Sequence, residues 1–181
     1  MANERKLDCV ILGLLSHENL TGYEIKKRLD TGLTFFWGAS FGSIYPTLKE
    51  LVENGFAVKT DTAHHSRNQI TYAITREGRQ HLKDWLELPV KKDELRSETL
   101  LKLFFADGAS RKTALGHIED FEAKLRGELP YLTQAVKALE GVRDESNAHL
   151  YYLLTARFGA KVYETSLEWC AEAKASLGGD G

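Results

Sequence analysis

The stretch Gly42-Ser43-Ile44-Tyr45-Pro46-Thr47-Leu48-Lys49-Glu50-Leu51-Val52-Glu53-Asn54-Gly55 decides how the chain folds. Ile44, Leu48, Leu51 and Val52 follow one another at spacings of 4, 3 and 1, which places them in a single stripe of a helical wheel. The spacing predicts a helix over 42–54, with Asn54-Gly55 as its stop. Pro46 lacks an N–H and is tolerated only in the first turns, so the helix should not begin much before Ser43. With the apolar stripe inward, Ser43, Pro46, Lys49 and Glu50 face outward, flanked by Tyr45 and Thr47. The first turns of that outer face, from Gly42, are small, hydroxylic and free of acid.

Upstream, Leu7 to Leu15 is apolar on nearly all sides and reads as a short buried helix. A polar turn, Ser16 to Leu20, follows. Thr21 with Glu24 three residues on is a capping box, which opens a second helix ending near Gly32. Ile25 and Leu29 point inward on it, and Lys26, Lys27 and Arg28 outward. Thr34 to Ala39 is an aromatic connection.

Downstream the period changes from 3.6 to 2. Phe56, Val58 and Thr60 alternate with polar or small residues, as do Ile70, Tyr72 and Ile74. The polar run Asp61 to Asn68 between them makes the pair a two-stranded hairpin. Thr75 then caps a fourth helix, with Leu82, Trp85 and Leu86 expected on its buried face. Three short helices, a hairpin and a helix in that order are the winged helix-turn-helix arrangement. In that arrangement the third helix lies in the major groove and the hairpin is the wing. The residues expected at DNA are Lys26, Lys27, Gly42, Ser43, Tyr45, Pro46, Thr47 and Lys49, with His65, Ser66 and Arg67 of the wing.

Leu88-Pro89 followed by a charged run marks a boundary, dividing a domain over 1–88 from a helical one over 94–178. Leu95 to Ala106 predicts a helix closed by Asp107-Gly108, with Gly108 left-handed. Ser110 opens a long one, with Leu115, Ile118, Phe121, Leu125, Leu129, Leu132, Val136 and Leu139 at heptad-like spacing. A last helix spans about 146–177, with Leu150, Leu154, Phe158, Val162 and Trp169. These amphipathic helices read as a dimer interface, which would set two recognition helices about 34 Å apart. The predicted class is mainly α with a small β-hairpin: an N-terminal winged helix-turn-helix and a C-terminal helical dimerisation domain.

Composition narrows the function further. The 181 residues are 43% hydrophobic and 28% charged, with 24 Lys+Arg against 26 Asp+Glu. A general polyanion-binding surface is excluded, and residues 1–89 carry as many acids as bases, so DNA binding must rest on placement and on two subunits. Two cysteines, Cys9 and Cys170, exclude a disulfide framework and a cysteine-rich zinc site. No metal, cofactor or catalytic set is expected: the adjacent His64-His65 point apart, and Glu119-Asp120 diverge in the same way. No apolar run is long enough to span a membrane, and the cytoplasm is the expected compartment.

Taken together, Leu20-Thr21-Gly22-Tyr23-Glu24-Ile25, Phe41 to Leu48 with Leu51 to Gly55, and Tyr72-Ala73-Ile74-Thr75-Arg76-Glu77-Gly78 resemble the PadR-like transcriptional regulators. Residues 95–107 and the helices after them resemble, more loosely, the C-terminal module of the longer members. The resemblance implies a bacterial homodimer, usually a repressor, on a pseudo-palindromic operator, releasing DNA when a small, frequently aromatic, effector binds. Here the wing carries His64-His65-Ser66-Arg67-Asn68 where the family commonly has a Gly-Arg-Pro-like stretch. Trp37, Trp85, Phe105, Tyr151, Phe158 and Trp169 are the aromatic side chains expected to stack on a flat effector. The rival reading is a helical protein–protein adaptor that keeps the winged helix without using it on DNA.

Overall fold

A computed structural model describes residues 4–33, 41–61, 70–91, 93, 96–142 and 148–178. The chain divides into two compact units, Met1–Asp93 and Glu94–Gly181.

The first unit runs α1 (Glu4–Leu15), β1 (Leu20–Thr21), α2 (Gly22–Arg28), α3 (Phe41–Glu53), β2 (Ala57–Asp61), β3 (Ile70–Ile74) and α4 (Arg76–Glu87). Leu7, Ile11, Leu12 and Leu15 of α1, Ile25 and Leu29, and Ile44, Leu48 and Leu51 of α3 form one buried cluster with Leu20, Ala57 and Tyr72. The Thr21 hydroxyl accepts the Glu24 N–H at 3.2 Å, and the Glu24 carboxylate accepts the Thr21 N–H at 2.8 Å, the reciprocal cap its sequence predicts. α2 ends at Arg28 rather than near Gly32, and Leu29–Leu33 continue as a π-turn.

α3 ends as expected. Gly55 takes a left-handed φ of +74°, the Phe56 N–H reaches Leu51 O at 2.8 Å and the Gly55 N–H reaches Val52 O at 3.1 Å. Pro46 is the sixth residue of the helix. The Gly42 carbonyl that an N–H at 46 would have met belongs to an exposed residue, within reach of solvent.

The expected β2–β3 hairpin forms, and the sheet gains a third strand. It has three antiparallel strands in the order β1-β3-β2, with Leu20 opposite Tyr72 and Thr21 opposite Thr71. A two-residue strand is too short to leave a period in the sequence. β2 also turns the other way from its alternation: Ala57, paired with Ile74, is buried and Val58 is exposed. The small side chain fits where the helices crowd the sheet. Thr75 caps α4, accepting the Gly78 N–H at 3.0 Å and donating to Gly55 O at 2.7 Å. Leu82 and Trp85 are half-buried, but Leu86 is exposed, contrary to expectation.

The second unit holds α5 (Glu98–Phe104), α6 (Arg111–Leu139) and α7 (Ala148–Gly178). α5 is shorter than predicted. Gly108 closes a 3-10 turn, Ala106–Gly108, and the left-handed glycines among the described residues are Gly55 and Gly141. Ser110 caps α6, accepting the Thr113 N–H at 3.1 Å. Ile118 and Leu125 are buried within the α6 stripe. α7 behaves differently. It buries Ala156, Gly159, Tyr163 and Cys170, while Leu150, Leu154, Phe158 and Val162 of the predicted stripe stand exposed.

Polar bonds fix the register of α6 against α7. Tyr163 donates to Glu128 at 2.6 Å. Glu122, buried beside them, accepts Arg126 at 2.7 Å and pairs with Lys174 of α7. Lys174, then Arg126, hold the Glu122 carboxyl below the ordinary carboxylate range. A carboxylate depressed by folding stabilises the fold above its unfolded value, about 4.3, and that contribution is lost as pH falls through the lower folded value. Acid thermal melts of Glu122→Gln should therefore show a shallower loss of stability with falling pH than the parent does.

Candidate nucleic-acid interface

The stripe that buries Ile44, Leu48 and Leu51 leaves Gly42, Tyr45, Pro46, Lys49 and Glu50 of α3 exposed and Ser43 and Thr47 half-buried. Pro46, Lys49 and Glu50 face outward as the wheel places them, while Ser43 is more buried and Tyr45 more exposed than it predicts. The Thr47 hydroxyl donates to Ser43 O at 2.7 Å, so its lone pairs rather than its proton face outward. Lys49 is 76% exposed and meets Glu53 at a loose 3.6 Å. Such a pair contributes at most about 0.5 kcal/mol, so it does little to hold the ammonium in place.

Tyr45 belongs to two structures at once. It is 49% exposed, yet its ring lies across Gly22 at the start of α2. A Cβ at Gly22 would stand 2.7 Å from Tyr45 Cε1. That close approach explains the glycine of Thr21-Gly22-Tyr23-Glu24 and fixes the first turn of α3 against α2. Tyr72 lies near enough for Tyr45 to reinforce the upward shift that burial gives the Tyr72 phenol.

The α2 cations divide. Lys26 is only 18% exposed at its side chain and pairs with Asp30, Arg28 meets Glu18 at 2.6 Å, and Lys27 is exposed. Sequence reasoning passed over Tyr23, whose ring is exposed on the first turn of α2, although its place opposite Ile25 on the wheel signals it. His65, Ser66 and Arg67 of the wing lie outside the described residues, as does Trp37.

Within the second unit, the expected aromatics are not gathered into one place among the described residues. Phe105, with Leu101, Lys102, Thr113, Ala114 and His117, lines an open cavity of about 350 Å³ between α5 and α6. Trp169 instead packs edge-on against Phe121, ring centroids 6.4 Å apart. Tyr151 and Phe158 are exposed on α7, and Trp85 is half-buried on α4 of the other unit.

Residues 11–84 match the family model described as the transcriptional regulator PadR-like family, and residues 95–178 that described as virulence activator alpha C-term. The negative transcriptional regulator PadR of Bacillus subtilis is 33% identical over 138 residues, 75% of each chain. The chain belongs to the PadR-like family. Two crystal structures of Bacillus subtilis PadR resemble this PadR-like chain. The complex with operator DNA gives a TM-score of 0.80 at 28% identity, covering 96% of this chain and 98% of that one. The complex with p-coumaric acid gives 0.70 at 27% identity, covering 96% and 99%. The family is one of transcriptional regulators, and no helix among the described residues is long and apolar enough to cross a membrane.

Proposed function

We propose that the protein is a homodimeric repressor that reads a pseudo-palindromic operator through α3 and releases it when a small aromatic effector binds. The observation that carries this reading is the open face of α3, where Gly42, Pro46 and Lys49 are exposed and Tyr45 shows one side of its ring to solvent. Gly42 and Ser43 in the first turn of the helix suit a phosphate, Lys49 a guanine edge, and Pro46 a thymine methyl. The wing residues His65, Ser66 and Arg67 would add backbone contacts. Residues 1–88 bind DNA and 94–178 dimerise and take the effector. The protein works by binding in the cytoplasm and catalyses nothing. The Bacillus subtilis relative, crystallised with operator DNA and with p-coumaric acid, supports both halves of the reading.

Dimerisation is supported by α7. Leu150, Leu154, Phe158 and Val162 form an unbroken exposed row at a spacing of four residues. Apolar rows of that kind on otherwise polar helices mark association surfaces.

Fluorescence anisotropy on the promoter beside the coding sequence, across a salt series, tests the proposal. Affinity should fall steeply with salt, each phosphate contact contributing a slope of about −0.9. Lys49→Ala should cost about 1–3 kcal/mol on the cognate site and less on scrambled DNA if the ammonium reads a base, or equally on both if it holds phosphate. Binding that ignores salt and shows no sequence preference would favour the adaptor.

A further inference from the structure

We propose that Asp8, Cys9 and His81 form a binding site for a borderline transition-metal ion of the Zn²⁺ class, set between α1 and α4. Their ligand atoms all lie within 4.8 Å of one another. Adjacent residues on a helix diverge by about 100°, and two neighbours seldom serve one site. Here the Asp8 carboxylate folds back over its own helix: Oδ1 accepts the Cys9 N–H at 2.7 Å, and Oδ2 stands 3.6 Å from His81 Nε2. The fold thus brings three different donors to one point from two helices, something neither local sequence contains.

The donors are held from outside the cluster as well. The His81 ring stacks on Phe56, centroids 4.4 Å apart and planes 14° from parallel, which limits its rotation. Cys9 is buried at 2% exposure, whereas the Asp8 and His81 side chains are 30% and 38% exposed. An ion can therefore enter from solvent at the carboxylate and imidazole and settle on the sulfur beneath. One sulfur, one nitrogen and one oxygen suit Zn²⁺ or Co²⁺, and argue against Mg²⁺ or Ca²⁺, which take oxygen ligands alone. Tetrahedral ligands at about 2.0–2.3 Å from zinc are about 3.5 Å apart, so closing the cluster needs movements near one ångström. Three protein donors leave the fourth position to water. On binding, the thiol proton passes to solvent as the sulfur–metal bond forms, with no change of oxidation state.

Occupancy would tie α1 to α4 beside Phe56, the residue just before β2. The metal would therefore stiffen the DNA-binding unit at the root of its wing.

The test is a Co²⁺ titration of the full, chelator-stripped chain under reducing conditions. One equivalent should produce the visible bands of tetrahedral cobalt and a near-ultraviolet sulfur-to-cobalt charge-transfer band, both removed by Zn²⁺. Cys9→Ser should lose the charge-transfer band and Cys170→Ser should keep it. His81→Gln, altered at a half-exposed ring, should bind Co²⁺ at least about tenfold more weakly, while holding operator DNA in EDTA as the parent does. Absence of the charge-transfer band in the parent overturns the site, as does its persistence in Cys9→Ser. Should Cys9→Ser fail to fold, undiminished affinity in His81→Gln is enough to overturn it.

Discussion

Gly78→Ala should unfold the winged-helix unit at temperatures where the parent is native. The added Cβ would stand 2.0 Å from the Phe56 carbonyl oxygen, with Phe56 C at 2.9 Å and Ile74 Cγ1 at 3.0 Å. The first two are main-chain atoms, which no rotamer change can move aside. That carbonyl is itself engaged, accepting the Thr75 N–H at 3.1 Å, while the Thr75 hydroxyl holds Gly55 O and the Gly78 N–H. Relieving the clash pulls α4 off the turn and breaks these bonds together. Overpacking in a tight site costs about 1–3 kcal/mol and sometimes more, and an unyielding backbone puts this case at the upper end, about 3 kcal/mol. For a unit of this size that is a fall in Tm of roughly 12–24 °C by circular dichroism or calorimetry. Gly127→Ala in α6 is the counter-case, since its Cβ meets nothing within 4 Å. There the usual helix advantage of alanine should appear as a gain of about 0.5–1 kcal/mol. If both substitutions change Tm in the same direction, the close approach at Gly78 is not what holds α4 in place.

Phe158→Glu should convert the protein to monomers and remove operator binding with them. Phe158 is 62% exposed at the centre of the α7 row, so folding of one subunit does not need it. In a two-fold interface the change is made on both sides. Each subunit loses the burial of a phenyl ring, worth about 1.5–3 kcal/mol, and acquires a carboxylate that must be desolvated for the dimer to form. Doubling the smaller value alone weakens dimerisation by more than about a hundredfold. Sedimentation or light scattering should report the monomer, with a far-ultraviolet spectrum like the parent's. A dimer that persists unchanged would place the interface on another surface.

Where local chemistry decides a feature, the sequence was sufficient. The stripe of α3 and its Asn54-Gly55 stop, the Thr21–Glu24 reciprocal cap and the caps at Thr75 and Ser110 are all specified within a few residues, and all formed. Features that depend on a distant partner escaped it. β1 exists only because β3 lies alongside, and Ala57 rather than Val58 turns inward because the register with Ile74 demands it. Periodicity shows that α7 has an apolar row, but not that Ala156, Gly159, Tyr163 and Cys170 take the place against α6. The face of α3 was legible for the same local reason as its core. Burial of the Lys26 side chain was not, because it depends on how α2 seats in the unit. The proposed effector aromatics were chosen by residue type alone, and type does not say whether a ring meets a cavity, another ring or solvent.

Thr21 closes β1 against Thr71 and at the same residue starts α2 through its side chain. No loose segment separates the sheet from the helix pair. Torque applied to the hairpin is delivered straight into the first turn of α2, and through Gly22 and Tyr45 into α3. β3 and the first turns of α2 and α3 are thus joined through Thr21, Gly22 and Tyr45, so a displacement of one is passed on to the others.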